Sequence, residues 1–215
     1  MSNIDKTALY SLSYGLFVLG TKDGEKDNGC IVNTVMQVGD SPLTLCVSVN
    51  KLNLTAETVK KTGEFTVSVL SETAPFGAYR RFGFASGRDT DKWKYIEETR
   101  LGNGIRYLGV HTVSAFACRV TETLDTGSHL LFLAEVTEAI KVSDEKPATY
   151  AFYHAEVKPK APVTAPAAPK REEEAAKPKG YVCKICGFVY EGDELPEDFV
   201  CPLCKHPASD FEPLA

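Results

Sequence analysis

The sequence predicts a mainly β protein made of a barrel-like domain and a small module held by clustered cysteines. Short apolar runs separated by turns fill residues 1–155, two Cys-x-x-Cys pairs stand near the end of the chain, and a proline-rich stretch lies between them. Many short strands with few helices favour a closed β-barrel over a layered α/β fold. We therefore divide the chain into a first domain at 1–156, a linker at 157–179 and a second domain at 180–215.

Six segments of the first domain are predicted to be strands, because valine, threonine and aromatic residues dominate them and turn-forming residues separate them. These segments are 9–19, 30–38, 43–49, 65–70, 112–120 and 130–136. One helix is predicted at 55–61. It has a threonine hydroxyl at its start, an acid in its first turn, two lysines in its last turn, and Gly63 just beyond its end.

The linker differs in composition from both domains. It contains five prolines together with alanines and charged residues, and it has no aromatic residue. We expect its first half to be extended and semi-rigid, at about 3 Å per residue where it adopts polyproline geometry, and residues 171–177 to be transiently helical. It can therefore span some tens of Å, and the sequence does not require the two domains to touch.

Composition excludes several classes of partner. The net charge is −5, which does not favour nucleic acid, and no apolar run is long enough to cross a bilayer. The first residues lack the basic start and apolar run of a signal peptide, so we expect a cytoplasmic protein. Cys30, Cys46 and Cys118 lie in strand-like sequence and are predicted to be buried free thiols.

The two cysteine pairs predict a closed tetrahedral metal site. Cys183 and Cys186 form the first pair, and Cys201 and Cys204 form the second. Four thiolates in this arrangement suit either zinc or iron, so the spacing alone leaves the metal open. Four aromatic residues in this short segment are available to shield the metal: Phe188, Tyr190, Phe199 and Phe211.

The residues around these cysteines resemble rubredoxin, the one-iron electron carrier. The resemblance rests on Tyr-Val-Cys-x-x-Cys-Gly-Phe-x-Tyr, on the run from Leu195 to Cys204, and on a closing Asp-Phe-Glu, and it implies Fe(Cys)₄ with all four cysteines as ligands. The segment between the pairs is shorter than in free-standing rubredoxins, and His206 replaces an expected glycine. The shortened form is similar to the rubredoxin-like tail of rubrerythrins.

Two polar stretches in the first domain are candidate binding segments. The stretch 50–55 delivers amides, an ammonium group and a hydroxyl to the start of the predicted helix, which is a suitable receptor for a phosphate group. The stretch 33–37 offers short polar side chains and backbone N–H groups to the edge of a flat heterocycle. Taken alone, both stretches are also compatible with ordinary turn and capping residues.

Several motifs in the right order resemble the flavin reductase-like, flavoredoxin family. They lie at 28–34, 48–55, 82–93, 127–132 and 149–154. The resemblance implies a Greek-key split barrel that binds FMN and dimerises with its flavins near the subunit interface. It assigns Asn33, Thr34, Val35 and Gln37 to the isoalloxazine, Asn50, Lys51, Asn53 and Thr55 to the ribityl phosphate, and Ser86, Arg88, Asp91 and Lys92 to a loop that closes on the cofactor.

Two further residues have specific expectations. Lys51 is predicted to neutralise the phosphate, so that its loss lowers flavin affinity by roughly 1.5–3 kcal/mol. His129 follows a Gly-Ser turn and is the candidate catalytic residue, which would orient a nicotinamide or donate to reduced flavin. The alternative for His129 is a histidine that satisfies backbone groups of a hairpin.

Together, the two resemblances are those of the high-molecular-weight rubredoxins, in which an FMN barrel is fused to a rubredoxin tail. They imply electron flow from NADH or NADPH through FMN to Fe(Cys)₄, and then to a flavodiiron protein or a rubrerythrin-type reductase. One alternative is a reductase of free flavin or ferric complexes, for which the iron tail is dispensable. A second is a zinc-stapled FMN-binding module whose tail only docks a partner.

Overall fold

The computed structural model describes residues 5–159, 180–183, 189–190, 192, 194–199 and 207–213. The chain divides into two compact units, Met1–Val157 and Lys158–Ala215. No helix in the described ranges is both long and apolar enough to cross a membrane.

A seven-stranded antiparallel sheet forms the first unit. Its strands are β1 Phe17–Asp23, β2 Lys26–Val32, β3 Val35–Asp40, β4 Leu43–Asn50, β5 Glu64–Leu70, β6 Thr112–Asp125 and β7 His129–Lys141. Their order in the sheet is β2-β1-β5-β6-β7-β4-β3. Since β5, β6 and β7 are consecutive neighbours and β4 returns to lie beside β7, the arrangement is a Greek key.

The sheet curls around an apolar core cluster, as expected for a barrel-like domain. Buried side chains from β2 and β4, near opposite ends of the strand order, belong to the same cluster. Helix α1, Leu54–Thr62, contributes Ala56 and Val59 to this cluster and contacts β1, β2 and β4. The strand order ends at β2 and β3, so the barrel has the split form that the family resemblance implies.

The remaining helical segments of this unit are short. A 3₁₀ helix covers Lys6–Ser11, α2 covers Phe76–Gly83, and α3, Tyr150–Phe152, continues into a π-helical turn at Tyr153–Val157. A second core cluster joins Tyr79 and Phe82 of α2 to Trp93 and Tyr153. Cys30, Cys46 and Cys118 are buried free thiols, as predicted.

Several sequence predictions of element boundaries were wrong. The segment 9–19 is not one strand, because Lys6–Ser11 is helical and the strand begins at Phe17. The segment 30–38 contains two strands, since the chain leaves β2 after Val32 and enters β3 at Val35. Helix α2 was not predicted, because a glycine near each of its ends and several aromatic residues gave it weak local signals.

In the second unit, three short strands form an antiparallel sheet. They are β8 Tyr181–Cys183, β9 Val189–Tyr190 and β10 Phe211–Pro213, in the order β10-β8-β9. The rings of Tyr190 and Phe199 lie 4.8 Å apart, and those of Phe199 and Phe211 lie 5.4 Å apart, both edge to face. Three of the predicted shielding aromatics therefore pack together, and the fourth, Phe188, lies outside the described residues.

Candidate functional site

A pocket of about 240 Å³ lies between the start of α1 and the segment that follows α2. It brings together four of the residues predicted to bind the cofactor, which are Asn53, Thr55, Ser86 and Lys92. The other lining residues are Asn28, Leu52, Leu54, Gly83, Phe84, Ala85 and Gly87. The pocket therefore joins the predicted phosphate segment to the predicted closing loop.

The first wall of this pocket is an uncapped helix end. Asn53 is the N-cap residue of α1, with an extended backbone, and its side chain makes no capping hydrogen bond. The first N–H groups of a helix have no partner within the helix, and the helix dipole places partial positive charge there. This end of α1 can therefore accept an anion from the pocket.

The second wall contains a buried ammonium group. Lys92 is 5% exposed, and its Nζ donates to the carbonyl oxygens of Gly29 at 2.8 Å and Phe82 at 3.2 Å. No ion pair among the described residues includes Lys92. Burial lowers the pKa of Lys92, and the same effect raises the pKa of the nearby Cys30 thiol, which stays neutral. A buried cation without a carboxylate partner favours an anionic ligand.

Asn28 lines the pocket but was not among the residues predicted to bind the cofactor. Asn28 of β2 is buried, and its Nδ2 donates to Thr55 Oγ1 at 3.2 Å. The sequence offered Asn28-Gly29, a pair that is typical of turns rather than of strand interiors. Its position inside an otherwise strand-like run was the signal that could have identified it.

The structure places Lys51 outside the lining of this pocket. Its Nζ forms an ion pair with Asp125 at 2.5 Å, and its backbone N–H donates to Ser128 O at 3.1 Å. The ammonium group of Lys51 lowers the pKa of Asp125. Asn50 lies beside it at the end of β4, where its Oδ1 accepts from Leu52 N–H. The role predicted for Lys51 stays a prediction, and Lys92 is the lysine that lines the pocket.

His129 lies in the same neighbourhood as Lys51. It begins β7 directly opposite Asn50 of β4, and its Nδ1 is 2.8 Å from Ser128 Oγ. The ring therefore contacts the adjacent turn through a side-chain hydroxyl, whereas the structural alternative expected contacts with backbone groups of the hairpin. Its half-buried position at the strand end keeps the catalytic prediction open to test.

The predicted isoalloxazine residues lie along the edge of the sheet. Asn33 and Thr34 connect β2 to β3, and Thr34 Oγ1 donates to Asn33 Oδ1 at 3.0 Å. Val35 is half-buried against the core, whereas Gln37 is exposed and donates to Gly39 O. These four residues form one continuous edge, and none of them lines the pocket beside α1.

The loop 86–92 has two faces. Ser86 and Lys92 line the pocket beside α1, whereas Arg88 and Asp91 line a separate cavity of about 590 Å³. The Arg88 guanidinium forms an ion pair with Glu57 in the first turn of α1. Asp91 Oδ1 accepts from Trp93 N–H at 2.9 Å. The structure therefore brings only half of the predicted closing loop to the pocket.

The predicted metal ligands fall mostly outside the described residues. Cys183 ends β8, but its side chain is not described, and Cys186, Cys201 and Cys204 lie outside the described ranges. The ligand set stays a prediction. Four thiolates in two Cys-x-x-Cys pairs suit a single tetrahedral iron.

Comparison with known proteins defines the class of this chain. Residues 9–160 match the flavin reductase like domain, and residues 181–212 match the rubredoxin-like domain of rubrerythrin. The NADH:FAD oxidoreductase of Streptomyces globisporus, solved with NAD and FAD fragments, superposes with a TM-score of 0.62 at 19% identity. That likeness covers 77% of this chain and 100% of the solved chain. The first domain therefore has the flavin reductase-like fold.

Two relatives, one of which matches across nearly the whole chain, narrow this class further. The high molecular weight rubredoxin of Moorella thermoacetica is 36% identical over 98% of this chain and 100% of its own length. A ferric-chelate reductase (NAD(P)H) of Archaeoglobus fulgidus is 35% identical over 75% of this chain and 96% of its own length. The chain belongs to the high molecular weight rubredoxin family, as its sequence motifs predicted.

Proposed function

We propose that this protein is an FMN-dependent electron-transfer oxidoreductase that accepts electrons from NADH or NADPH and delivers them through Fe(Cys)₄ to a terminal reductase. The observation that supports this proposal most directly is the anion-binding pocket at α1, in a flavin reductase-like domain joined to a rubredoxin-like domain. Bound flavin would accept two electrons and release them singly, and the iron would carry them one at a time.

The pocket supports FMN as the flavin. A terminal phosphate monoester carries nearly two negative charges at neutral pH. The Lys92 ammonium group and the start of α1 would neutralise that charge, while Thr55 and Ser86 would supply hydroxyl donors. In this assignment Asn53 contributes through its place at the helix start, and its side chain remains free to turn toward the ligand.

The remaining predicted residues have proposed roles around the flavin ring. Asn33, Thr34, Val35 and Gln37 would present the edge of β3 to the isoalloxazine. Asn50 and His129, which face each other across β4 and β7, would flank the donor side, with His129 orienting the nicotinamide. These roles require the ring to extend from the pocket toward the strand edge.

We further propose a cytoplasmic homodimer that forms through the flavin domain. Met36 and Val38 of β3 are 60% and 48% exposed, and β3 is an end strand of the sheet. Exposed apolar side chains on an end strand are suited to a protein partner. A flavodiiron protein or a rubrerythrin is the proposed acceptor, as the resemblance to rubredoxin fusions implies.

The absorption spectrum and metal content of the intact protein test both cofactors. Protein from iron-replete cells is expected to contain about one FMN and one iron per chain, with thiolate-to-iron bands beneath the flavin bands. A Cys201→Ser variant should lose the iron bands and keep the flavin. One zinc per chain without thiolate-to-iron absorption would instead support the zinc-stapled alternative.

Anaerobic mixing with NADH tests the direction of electron flow. We expect the flavin absorption to bleach first and the iron bands to disappear afterwards, because a hydride donor can reduce the flavin and the one-electron iron cannot take a hydride. The rate at which the protein reduces an added acceptor is then measured. Cytochrome c is the one-electron acceptor, and ferric citrate is the ferric chelate.

The matched control is the Cys201→Ser variant with the same two acceptors. If the variant reduces cytochrome c and ferric citrate as fast as the intact protein, the tail is dispensable and the ferric reductase alternative is favoured. The resemblance to the Archaeoglobus fulgidus enzyme makes this comparison necessary.

A further inference from the structure

The floor of the anion pocket contains an unusual buried amide. Asn28 is 4% exposed in the middle of β2 and lines the pocket. Its Nδ2 donates to Thr55 Oγ1, while its Oδ1 is buried and has no hydrogen-bond partner among the described residues. A buried polar atom without a partner destabilises the fold, and an apolar side chain of similar size would avoid that cost. Packing alone therefore does not explain an asparagine at this position.

The hydrogen bond from Asn28 restricts the direction in which the Thr55 hydroxyl can donate its proton. A hydroxyl oxygen can accept two hydrogen bonds and donate one. The Asn28 Nδ2 group can only donate, so it occupies one acceptor position of the Thr55 hydroxyl. The Thr55 proton therefore points away from Asn28, and Thr55 lines the pocket, where a bound anion can accept that proton.

Asn28 also supports the opposite wall of the pocket. A Cβ atom added at Gly87 would overlap the Asn28 Oδ1 atom and lie close to its Cγ atom. Gly87 therefore packs directly against the side-chain amide of Asn28. It follows Ser86 in the loop that lines the pocket. The position of Asn28 sets how closely this loop approaches the start of α1.

We propose that Asn28 is a positioning residue that makes the pocket select phosphorylated flavin over riboflavin. It acts through Thr55, whose hydroxyl it turns into a fixed donor toward the phosphate, and it spaces Ser86 and Gly87 against α1. This inference rests on the proposed function, because the ligand is the phosphate of FMN. The isoalloxazine and ribityl groups are common to both flavins, so the selectivity must come from the phosphate pocket.

Flavin affinity of the intact protein provides the test. The dissociation constants of FMN and riboflavin are measured by flavin fluorescence for the wild-type protein and for Asn28→Val, Thr55→Val and the double variant. We expect Asn28→Val to weaken FMN binding about ten-fold and to leave riboflavin binding within about two-fold. The melting temperature of the flavin-free Asn28→Val variant should not fall, since the substitution also removes the unpaired Oδ1.

The double variant distinguishes positioning from a merely structural role. If Asn28 acts through Thr55, the second substitution adds little once Thr55 is valine, so the two effects on FMN affinity are not additive. Should Asn28→Val fail to fold, Asn28→Asp keeps the size and shape of the side chain. It is expected to weaken FMN binding about a hundred-fold, because a carboxylate accepts the Thr55 proton and repels the phosphate.

The possible outcomes separate this inference from the proposed function. A wild-type protein that binds FMN and riboflavin equally would overturn the phosphate pocket itself. A wild-type preference for FMN that persists in Asn28→Val and Asn28→Asp would overturn the role of Asn28 and leave the proposed function standing. If Asn28→Val binds FMN and riboflavin more weakly by the same factor and also has a lower melting temperature, Asn28 has only a structural role.

Discussion

Replacing Lys92 with methionine is expected to weaken FMN binding by about thirty- to a hundred-fold, the scale of a lost hydrogen bond to a charged group. Methionine keeps an unbranched side chain of similar length and removes its charge. The reason for the effect is the location of the Lys92 ammonium group, which is buried, lines the pocket and has no ion-pair partner among the described residues. Retention of FMN during dilution and fluorescence titration provides the measurement.

Lys51→Ala is the matched comparison for this prediction. Lys51 was predicted from the sequence to neutralise the phosphate, and a loss of roughly 1.5–3 kcal/mol in flavin affinity on its removal would support that prediction. In the structure the ammonium group of Lys51 instead forms an exposed ion pair with Asp125. We therefore expect the larger loss from Lys92→Met. The reverse ranking would place the phosphate at the end of β4 and away from α1.

The pH dependence of FMN affinity provides a second readout. Burial lowers the pKa of Lys92 below its ordinary value of 10.5. Burying the charged Lys92 therefore reduces the stability of the fold. This reduction is fully present below the lowered pKa, and it is relieved as the pH rises through that pKa toward the pKa of Lys92 in the unfolded chain. FMN favours the charged form, so its affinity should fall as Lys92 loses its proton. This alkaline loss should be absent in Lys92→Met.

The parts of the fold that could be predicted from sequence are those with strong local signals. Helix α1 was predicted from its first-turn acid, its last-turn lysines and Gly63, and the structure confirms a left-handed Gly63 at its C-terminus. Strands β6 and β7 were predicted only in their buried halves. Their outer halves expose charged residues such as Glu122, and cross-strand pairing rather than an apolar face defines them.

The candidate site depends on contacts that sequence spacing cannot show. Lys51 and Lys92 both lie beside polar residues in the sequence. Only the folded chain shows that Lys51 pairs with Asp125 and that Lys92 lines the pocket at the start of α1. Asn28 and Thr55 are 27 residues apart and meet because α1 packs across β2. Helix α2 depends on the burial of Tyr79 and Phe82, which is a tertiary effect.

Cutting the linker is expected to slow reduction of the iron by about a hundred- to a thousand-fold at micromolar protein. The linker tethers the two domains at an effective concentration on the order of millimolar, far above the concentration of the separated parts. A protease site inserted within residues 157–179 allows the same protein to be compared before and after cleavage. Stopped-flow traces after mixing with NADH then give the rate of iron reduction.

The charges of the separated parts make the tether more important. The flavin domain and the rubredoxin-like domain both carry a net negative charge, whereas the linker is basic. Electrostatic attraction therefore does not bring the cleaved domains together. Before cleavage, the rate should be independent of protein and salt concentration. After cleavage, it should rise with protein concentration and also with salt, which screens the repulsion. Equal rates before and after cleavage would show that reduction of the iron does not require the tether, and that the rubredoxin-like domain is simply an appended domain.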